Sequence, residues 1–161
     1  MVPLLTIVQE NKEKLIQRCV CEYYGEKPKG KRKIEASFAI AIELFIEGIR
    51  HKNVTCLGAF LEGIVDGENQ KEMHPSQGAR LLNITKKVLL QLVLKKHEQK
   101  SMPKAIDWID RTFAIATEVM MHRFEDIVSR EREEIKKRER RIGELEKKNH
   151  KIYLEKVAGL G

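Results

Sequence analysis

The sequence of 161 residues lacks long apolar runs, and none approaches the ~18 uninterrupted apolar residues that a transmembrane helix needs. Its opening residues hold a short apolar patch without the basic n-region or the small-residue cleavage site of a signal peptide. The three cysteines, Cys19, Cys21 and Cys56, are an odd number and make a poor disulfide framework. We therefore expect a cytoplasmic protein, or the cytoplasmic piece of a larger one, with no membrane-inserted segment.

Catalytic motifs are missing as well. The sequence contains no G-x-S-x-G, no H-E-x-x-H and no P-loop. Asp107 and Asp110 stand three residues apart on a predicted helix, but acidic residues are favoured near helix N-termini by the macrodipole alone. Cys19 and Cys21 have no second Cys or His pair at metal-ligand spacing, so we expect both to be small buried hydrophobes. The chain is predicted to have no catalytic residue and no metal site.

Positive charge is in excess, with a net charge of +7, but it is not gathered on one face. Residues 27–33 (KPKGKRK) contribute +5 without an acid, and residues 129–151 contribute +4 from ten basic and six acidic residues. A nucleic-acid-binding protein concentrates its charge on a recognition surface. We interpret the first segment as a solvated loop and the second as a solvated helix face, and expect no nucleic-acid partner. A basic nucleic-acid-binding helix protein is the alternative.

Apolar residues recur with a period near 3.6 along almost the whole chain, which predicts an all-α fold. No segment shows convincing period-2 alternation. Gly25 is a natural C-cap, Asn53 an N-cap, Pro75 suits a first helical turn, and Ser101 and Pro103 open the last helix. The predicted helices cover residues 4–24, 34–52, 54–66, 75–97 and 103–158.

The last predicted helix is unusually long, because only Gly143 interrupts it before Gly159. At the usual rise per residue it would measure roughly 80 Å, more than a compact domain of this size needs. Its apolar face is broad up to residue 128 and includes the following candidate core residues: Trp108, Ile109, Phe113, Ala116, Met120, Phe124 and Ile127.

Beyond Ser129 the apolar face narrows to Ile135, Ile142, Leu145 and Ile152, spaced 7, 3 and 7 residues apart. This is the a/d spacing of a coiled coil, with Asn149 at an a position and charged residues at positions 131 and 138. A single helix cannot bury such a stripe, so we predict a parallel homodimer whose interface is Ile135, Ile142, Leu145, Asn149 and Ile152. A lone salt-bridged helix or a frayed tail is the alternative. The register slips after residue 152, as at a junction between helical modules.

The final residues, YLEKVAGLG (153–161), resemble the first residues of the dimerisation and phosphotransfer domain of bacterial sensor histidine kinases. Leu154, Glu155, Ala158, Leu160 and Gly161 match that entry segment. The resemblance implies that residues 129–152 are a coiled-coil signalling linker and that a phosphoacceptor His and an ATP-binding core follow. It also implies a response regulator as a partner of the parent protein. The expectation is therefore a regulatory fragment that is not itself an enzyme.

Residues 1–128 resemble the N-terminal sensory domain of RsbR-type stressosome proteins, which is a non-haem globin-like helical fold. The similarity lies in the order of three segments, 10–26, 60–92 and 105–127. It implies a globin-like bundle of about five helices that leads into the signalling helix. A stressosome-type scaffold that binds partner proteins is therefore a second hypothesis for the function.

Globin-like sensors can bind haem through one proximal His, so the histidines on helices need separate consideration. His97 follows Val93 by four residues on an apolar helix face, and His122 follows Val119 by three. Either could line a ligand pocket, which makes a haem-dependent gas sensor a third hypothesis. His97 also stands in a last helical turn, where positive charge is favoured without any ligand. We expect no cofactor, and a small apolar ligand or none.

Overall fold

The computed structural model describes residues 2–25, 32–59 and 75–159. Within these ranges all regular secondary structure is helical and no strand occurs, which confirms the all-α prediction. A globin-like arrangement of these helices stays a prediction. The described helices are α1 (Val2–Glu10), α2 (Lys12–Tyr24), α3 (Arg32–Arg50), α4 (56–59), α5 (Pro75–Lys96) and α6 (Met102–Gly159).

The prediction of one helix over residues 4–24 is wrong, because Asn11 separates α1 from α2. Asn11 is only 7% exposed, and its backbone (φ −112°, ψ 11°) leaves the helical region. Its Nδ2 donates to the Ile7 carbonyl oxygen at 2.7 Å, and its Oδ1 accepts from Lys96 Nζ at 2.8 Å. A short amide side chain that bonds to nearby backbone competes with helix continuation, which accounts for the break.

The other predicted helix ends within the described ranges agree with the structure to within two residues. Gly25 ends α2 with φ +86°, a conformation that glycine adopts freely, and its N–H donates to the Cys21 carbonyl oxygen at 2.7 Å. Asn53 Oδ1 accepts from Thr55 N at 2.9 Å and from Thr55 Oγ1 at 2.6 Å just before α4. Pro75 is the first residue of α5. The predicted end of the third helix at residue 67 lies outside the described residues.

The predicted basic loop is only partly described. Residues 27–31 lie outside the described ranges, whereas Arg32 and Lys33 form the start of α3. The predicted loop therefore extends two residues too far.

Two units divide the chain, Met1–Arg123 and Phe124–Gly161, and α6 contributes to both. The division lies close to the predicted end of the sensory domain at residue 128. In the first unit, α2 packs on α3 and α5, and α1 packs on α3 and α5. The rings of Phe45 on α3 and Phe113 on α6 lie 5.8 Å apart between centroids.

The core of the first unit consists of the apolar stripes that the helical period predicts. Trp108 is half-buried at its edge. Fully buried side chains come from all five longer helices of the described chain: Leu4, Val8, Leu15, Cys19, Phe38, Ile42, Phe45, Leu82, Leu89, Ile109, Phe113 and Ala116. Burial of this apolar surface supplies the main stabilisation of the bundle.

Phe124 is a correction to the predicted core, because 44% of its surface is exposed. The buried stripe of α6 runs through Ala116 and Met120, and Phe124 is already the first residue of the second unit. Sequence periodicity continues past the edge of the bundle, but burial does not. The amphipathic pattern therefore overstated the core by one turn.

The three cysteines differ in burial. Of Cys19 and Cys21, both of which were predicted to be buried, only Cys19 is buried. Cys19 is buried, Cys56 is half-buried and Cys21 is exposed. Residues two apart on a helix point to different sides, which explains why Cys21 faces outward when Cys19 faces the core. Burial raises the pKa of the Cys19 thiol from 9.0 to about 12, and its hydrogen bond with Thr85 opposes only part of that rise.

Candidate self-association surface

The predicted interface residues form a line of exposed side chains on the second unit, which we call the seam: Ile135, Ile142, Leu145, Asn149 and Ile152. All five lie on α6 and all are exposed. The apolar members have 47% (Ile152) to 59% (Leu145) of their surface in contact with solvent. Large aliphatic side chains in a regular row are unusual at a surface that binds nothing.

The spacing of the seam places its members on one face of the helix. Steps of three, four and seven residues return to nearly the same direction, so Ile135, Ile142 and Leu145 share a side of α6. Asn149 follows Ile142 by one heptad and carries the only amide of the seam. A polar amide in such a row favours a defined register between two paired helices, at some cost in stability.

Charged residues interrupt the seam at Glu131 and Arg138, both of which are exposed. Arg138 Nη2 lies 4.0 Å from Glu134 Oε2, one turn earlier on the same helix, and both side chains are more than two-thirds exposed. An exposed ion pair of this kind contributes little stability. The interruption therefore divides the apolar row into Ile135 alone and a longer stretch from residue 142 onward.

The apolar row turns around the helix at its C-terminal end. Tyr153, Leu154 and Val157 are 64%, 51% and 50% exposed, and they do not continue the heptads begun at Ile135. Such a change of register locally unwinds a coiled coil. Leu160 and Gly161, which belong to the segment that resembles histidine kinases, lie outside the described residues.

The seam offers exposed apolar side chains flanked by charged groups. Searched over residues 2–25, 32–59 and 75–159, the structure contains no group of three or more His, Cys, Asp or Glu side chains that could hold a metal ion. Asp107 and Asp110, the candidate carboxylate pair, bond to different cations. Asp107 Oδ2 lies 3.9 Å from Arg111 Nη1, and Asp110 Oδ1 lies 3.0 Å from Lys86 Nζ.

The two candidate ligand histidines lie in different surroundings. His97 follows α5, is 8% exposed, and has its Nδ1 3.1 Å from Ser101 Oγ and 3.2 Å from the Glu98 carbonyl oxygen. That nitrogen therefore lies among polar groups of the connection between α5 and α6. The predicted N-cap Ser101 directs its hydroxyl to this histidine.

His122 is a surface residue and does not line an internal pocket. Its side chain is 71% exposed, and its Nε2 lies 3.9 Å from Glu118 Oε1. Position 122 is about 200° around the helix from the buried Met120, which explains its outward direction. About 30 Å of helix separates it from Ser101, the neighbour of His97, so the two histidines do not share a site.

Sequence reasoning missed two polar features of the bundle. One is the contact of Lys96 with the buried Asn11, which joins residues 85 positions apart. The other is a pair of buried polar atoms on α6, Trp108 Nε1 and Thr112 Oγ1. Both features depend on the packing of distant segments, and the apolar period of the sequence carries no signal for them.

Comparison with protein-family profiles, with curated proteins and with solved structures found no match. No helix in the described part of the chain is long and apolar enough to cross a membrane.

Proposed function

We propose that this chain is a sensory and regulatory segment of a bacterial two-component histidine kinase, which passes a signal through a dimeric helical stalk to a kinase core. In this proposal the first unit is a globin-like sensory bundle, and the seam of the second unit pairs with the same surface of another copy. The chain itself performs no catalysis and holds no haem or metal. Its partners are a second copy, its own kinase core and a response regulator, all in the cytosol where ATP is present.

The exposed seam is the observation that carries the proposal. Four large aliphatic side chains at coiled-coil spacing would remain in water if α6 stayed single. Their burial in a dimer is favourable by very roughly 1.5 kcal/mol per side chain, before the entropy of association is subtracted. An identical helix is the simplest partner with matching spacing.

The segment after the seam supports a histidine kinase over other dimeric coiled-coil proteins. Leu154, Glu155 and Ala158 occupy the positions at which the resemblance to the kinase dimerisation domain lies. The register change near residue 153 suits a junction between two helix packings. A stalk with two packings of similar free energy can be biased by a signal at one end and alter the geometry at the other.

The mechanism is tested by joining the chain, in helical phase after Glu155, to the dimerisation and catalytic core of a histidine kinase. Seven residues inserted after Lys148 add one heptad and preserve the seam, whereas two residues rotate the following helix by roughly 200°. We expect the heptad insertion to retain the autophosphorylation rate of the fusion. We expect the two-residue insertion to change that rate strongly.

Equal autophosphorylation rates in the fusion and its two insertion variants would contradict the proposal, because the activity of the kinase core would then not depend on the helical phase of the stalk. Light scattering on the same proteins identifies any insertion that simply dissociates the dimer. A rate change without dissociation is the result that the proposed mechanism requires.

A further inference from the structure

Two buried polar atoms stand one turn apart on α6, Trp108 Nε1 and Thr112 Oγ1, and neither has a hydrogen-bond partner within the described part of the chain. Thr112 is 2% exposed. Residues four apart on a helix lie on the same face, so the Trp108 and Thr112 side chains share one patch on a face of α6. Buried polar groups in folded proteins are nearly always paired, and each exception needs a physical explanation.

Two other threonines of the bundle make a hydrogen bond to the backbone that Thr112 does not make. Thr85 Oγ1 donates to the Leu81 carbonyl oxygen at 2.8 Å, and Thr117 Oγ1 donates to the Phe113 carbonyl oxygen at 2.7 Å. This bond to the preceding turn is the usual way in which a helical threonine satisfies its hydroxyl. The Thr112 hydroxyl is left for another partner.

Charged residues next to Trp108 and Thr112 in sequence form ion pairs. Asp107 lies next to Trp108 in sequence but is exposed, within 3.9 Å of Arg111, and Asp110 bonds to Lys86. The direct neighbours of Thr112 on the buried side of α6 include Ile109 and Phe113, which are apolar. A charged guest would be costly in such surroundings, whereas a neutral one needs only hydrogen bonds.

We propose that Trp108 and Thr112 form an internal site for one neutral oxygen-bearing guest, either a water molecule or a small molecule with a carbonyl or hydroxyl group. The indole N–H donates a hydrogen bond to the guest oxygen, and the Thr112 hydroxyl completes the hydrogen bonding of the guest. A buried water commonly makes about three such bonds, so these two side chains supply most of its needs. The site does not depend on the function proposed above.

The test uses Trp108 as the reporter, because it is the only tryptophan of the chain and gives a single indole N–H signal in a ¹⁵N spectrum. In the parent protein we expect that signal at a hydrogen-bonded position and protected from solvent exchange. Thr112→Val keeps the shape but removes the hydroxyl, so it should move the indole signal and lower the melting temperature. Thr117→Val is the matched control and should leave the indole signal in place.

Thr112→Ser retains the hydroxyl and should keep the indole signal of the parent. Magnetisation transfer between the indole proton and a long-lived water identifies water as the guest, and an added mass in native mass spectrometry identifies a small molecule. An indole signal at a non-hydrogen-bonded position in the parent would overturn the proposal, whether or not the variants fold. An unchanged indole signal or a raised melting temperature in folded Thr112→Val would overturn it as well.

Discussion

At Gly48, replacement by alanine changes the stability in opposite directions through helix propensity and through packing. It lies in the last turn of α3, where replacement of glycine by alanine ordinarily stabilises a helix by about 1 kcal/mol. In this structure a Cβ at residue 48 would stand 2.8 Å from the carbonyl oxygen of Asn53 and 3.7 Å from Cys56 Cβ. Real Cβ atoms do not approach a backbone oxygen so closely, so the turn after α3 would have to move.

That turn has little freedom to move. Asn53 N donates to the Gly48 carbonyl oxygen at 2.8 Å, and Lys52 holds a left-handed backbone with φ 52°. Relief of the contact would stretch this hydrogen bond or shift α4 through Cys56. Overpacking of this kind costs about 1–3 kcal/mol, which exceeds the gain in helix propensity. We expect Gly48→Ala to be less stable than the parent by about 1 kcal/mol.

Urea denaturation followed by the fluorescence of Trp108 measures this effect, because that tryptophan belongs to the same unit as Gly48. Gly143→Ala is the matched control, since nothing lies within 4 Å of a Cβ built at residue 143. It should raise the stability of the second unit by about 0.5–1 kcal/mol, as measured by thermal melting followed by circular dichroism. A Gly48→Ala protein more stable than the parent would refute the packing argument.

Four further predictions concern the cysteines, histidines and lysines of the chain. Cys21 should react with a thiol reagent in the native protein, whereas Cys19 should react only after unfolding, since burial raises its pKa to about 12 and little thiolate forms. Rapid labelling of Cys19 in the native protein would contradict this burial. The folded state favours the neutral Cys19 thiol, so the contribution of this thiol to the free energy of unfolding is complete below pH 9.0 and is lost as the pH rises towards about 12. In urea titrations, Cys19→Ala should reduce this loss of stability at alkaline pH. Added haem should give no Soret band and the single alanine variants of His97 and His122 should fold, whereas a stoichiometric band lost in one variant would identify an axial ligand. Neutralising the three lysines within 29–33 should leave the free energy of unfolding in urea nearly unchanged. A decrease of more than ~2 kcal/mol in that free energy would show that the segment packs on the bundle.

The helices were predictable wherever the local spacing of apolar residues is enough to determine them. The apolar period of α3 placed Phe38, Ile42 and Phe45 in the core, and all three are buried. The break between α1 and α2 was not predictable, because the buried amide of Asn11 is held partly by Lys96, which is 85 residues away. The spacing of apolar residues in the sequence carries no information about a polar contact that forms only on folding.

The candidate surface was predictable for a related reason. Exposed helices have few apolar residues, so the heptad row from Ile135 to Ile152 stood out within a charged sequence. Phe124 was misassigned because the same apolar period runs on past Arg123, the last residue of the first unit, whereas Phe124 itself is exposed. The buried polar pair of Trp108 and Thr112 was missed, since a lack of partners is a property of the packed interior.

The central claim is that the seam pairs two copies of this chain. Ile142→Lys combined with Leu145→Lys places two charges in the middle of the seam, and both residues belong to the second unit. Leu94→Lys is the matched control, because Leu94 is 60% exposed on α5, as much as the seam residues, but does not belong to the seam. Circular dichroism and Trp108 fluorescence should show a folded bundle in all proteins.

Multi-angle light scattering at matched micromolar concentrations tests the claim most directly. The parent and Leu94→Lys should have twice the 18.7 kDa mass of one chain, and the double variant should shift towards 18.7 kDa. A double variant that stays as dimeric as the parent would show that the seam is not the interface. A parent protein with the mass of a single chain at high concentration would contradict the dimer itself.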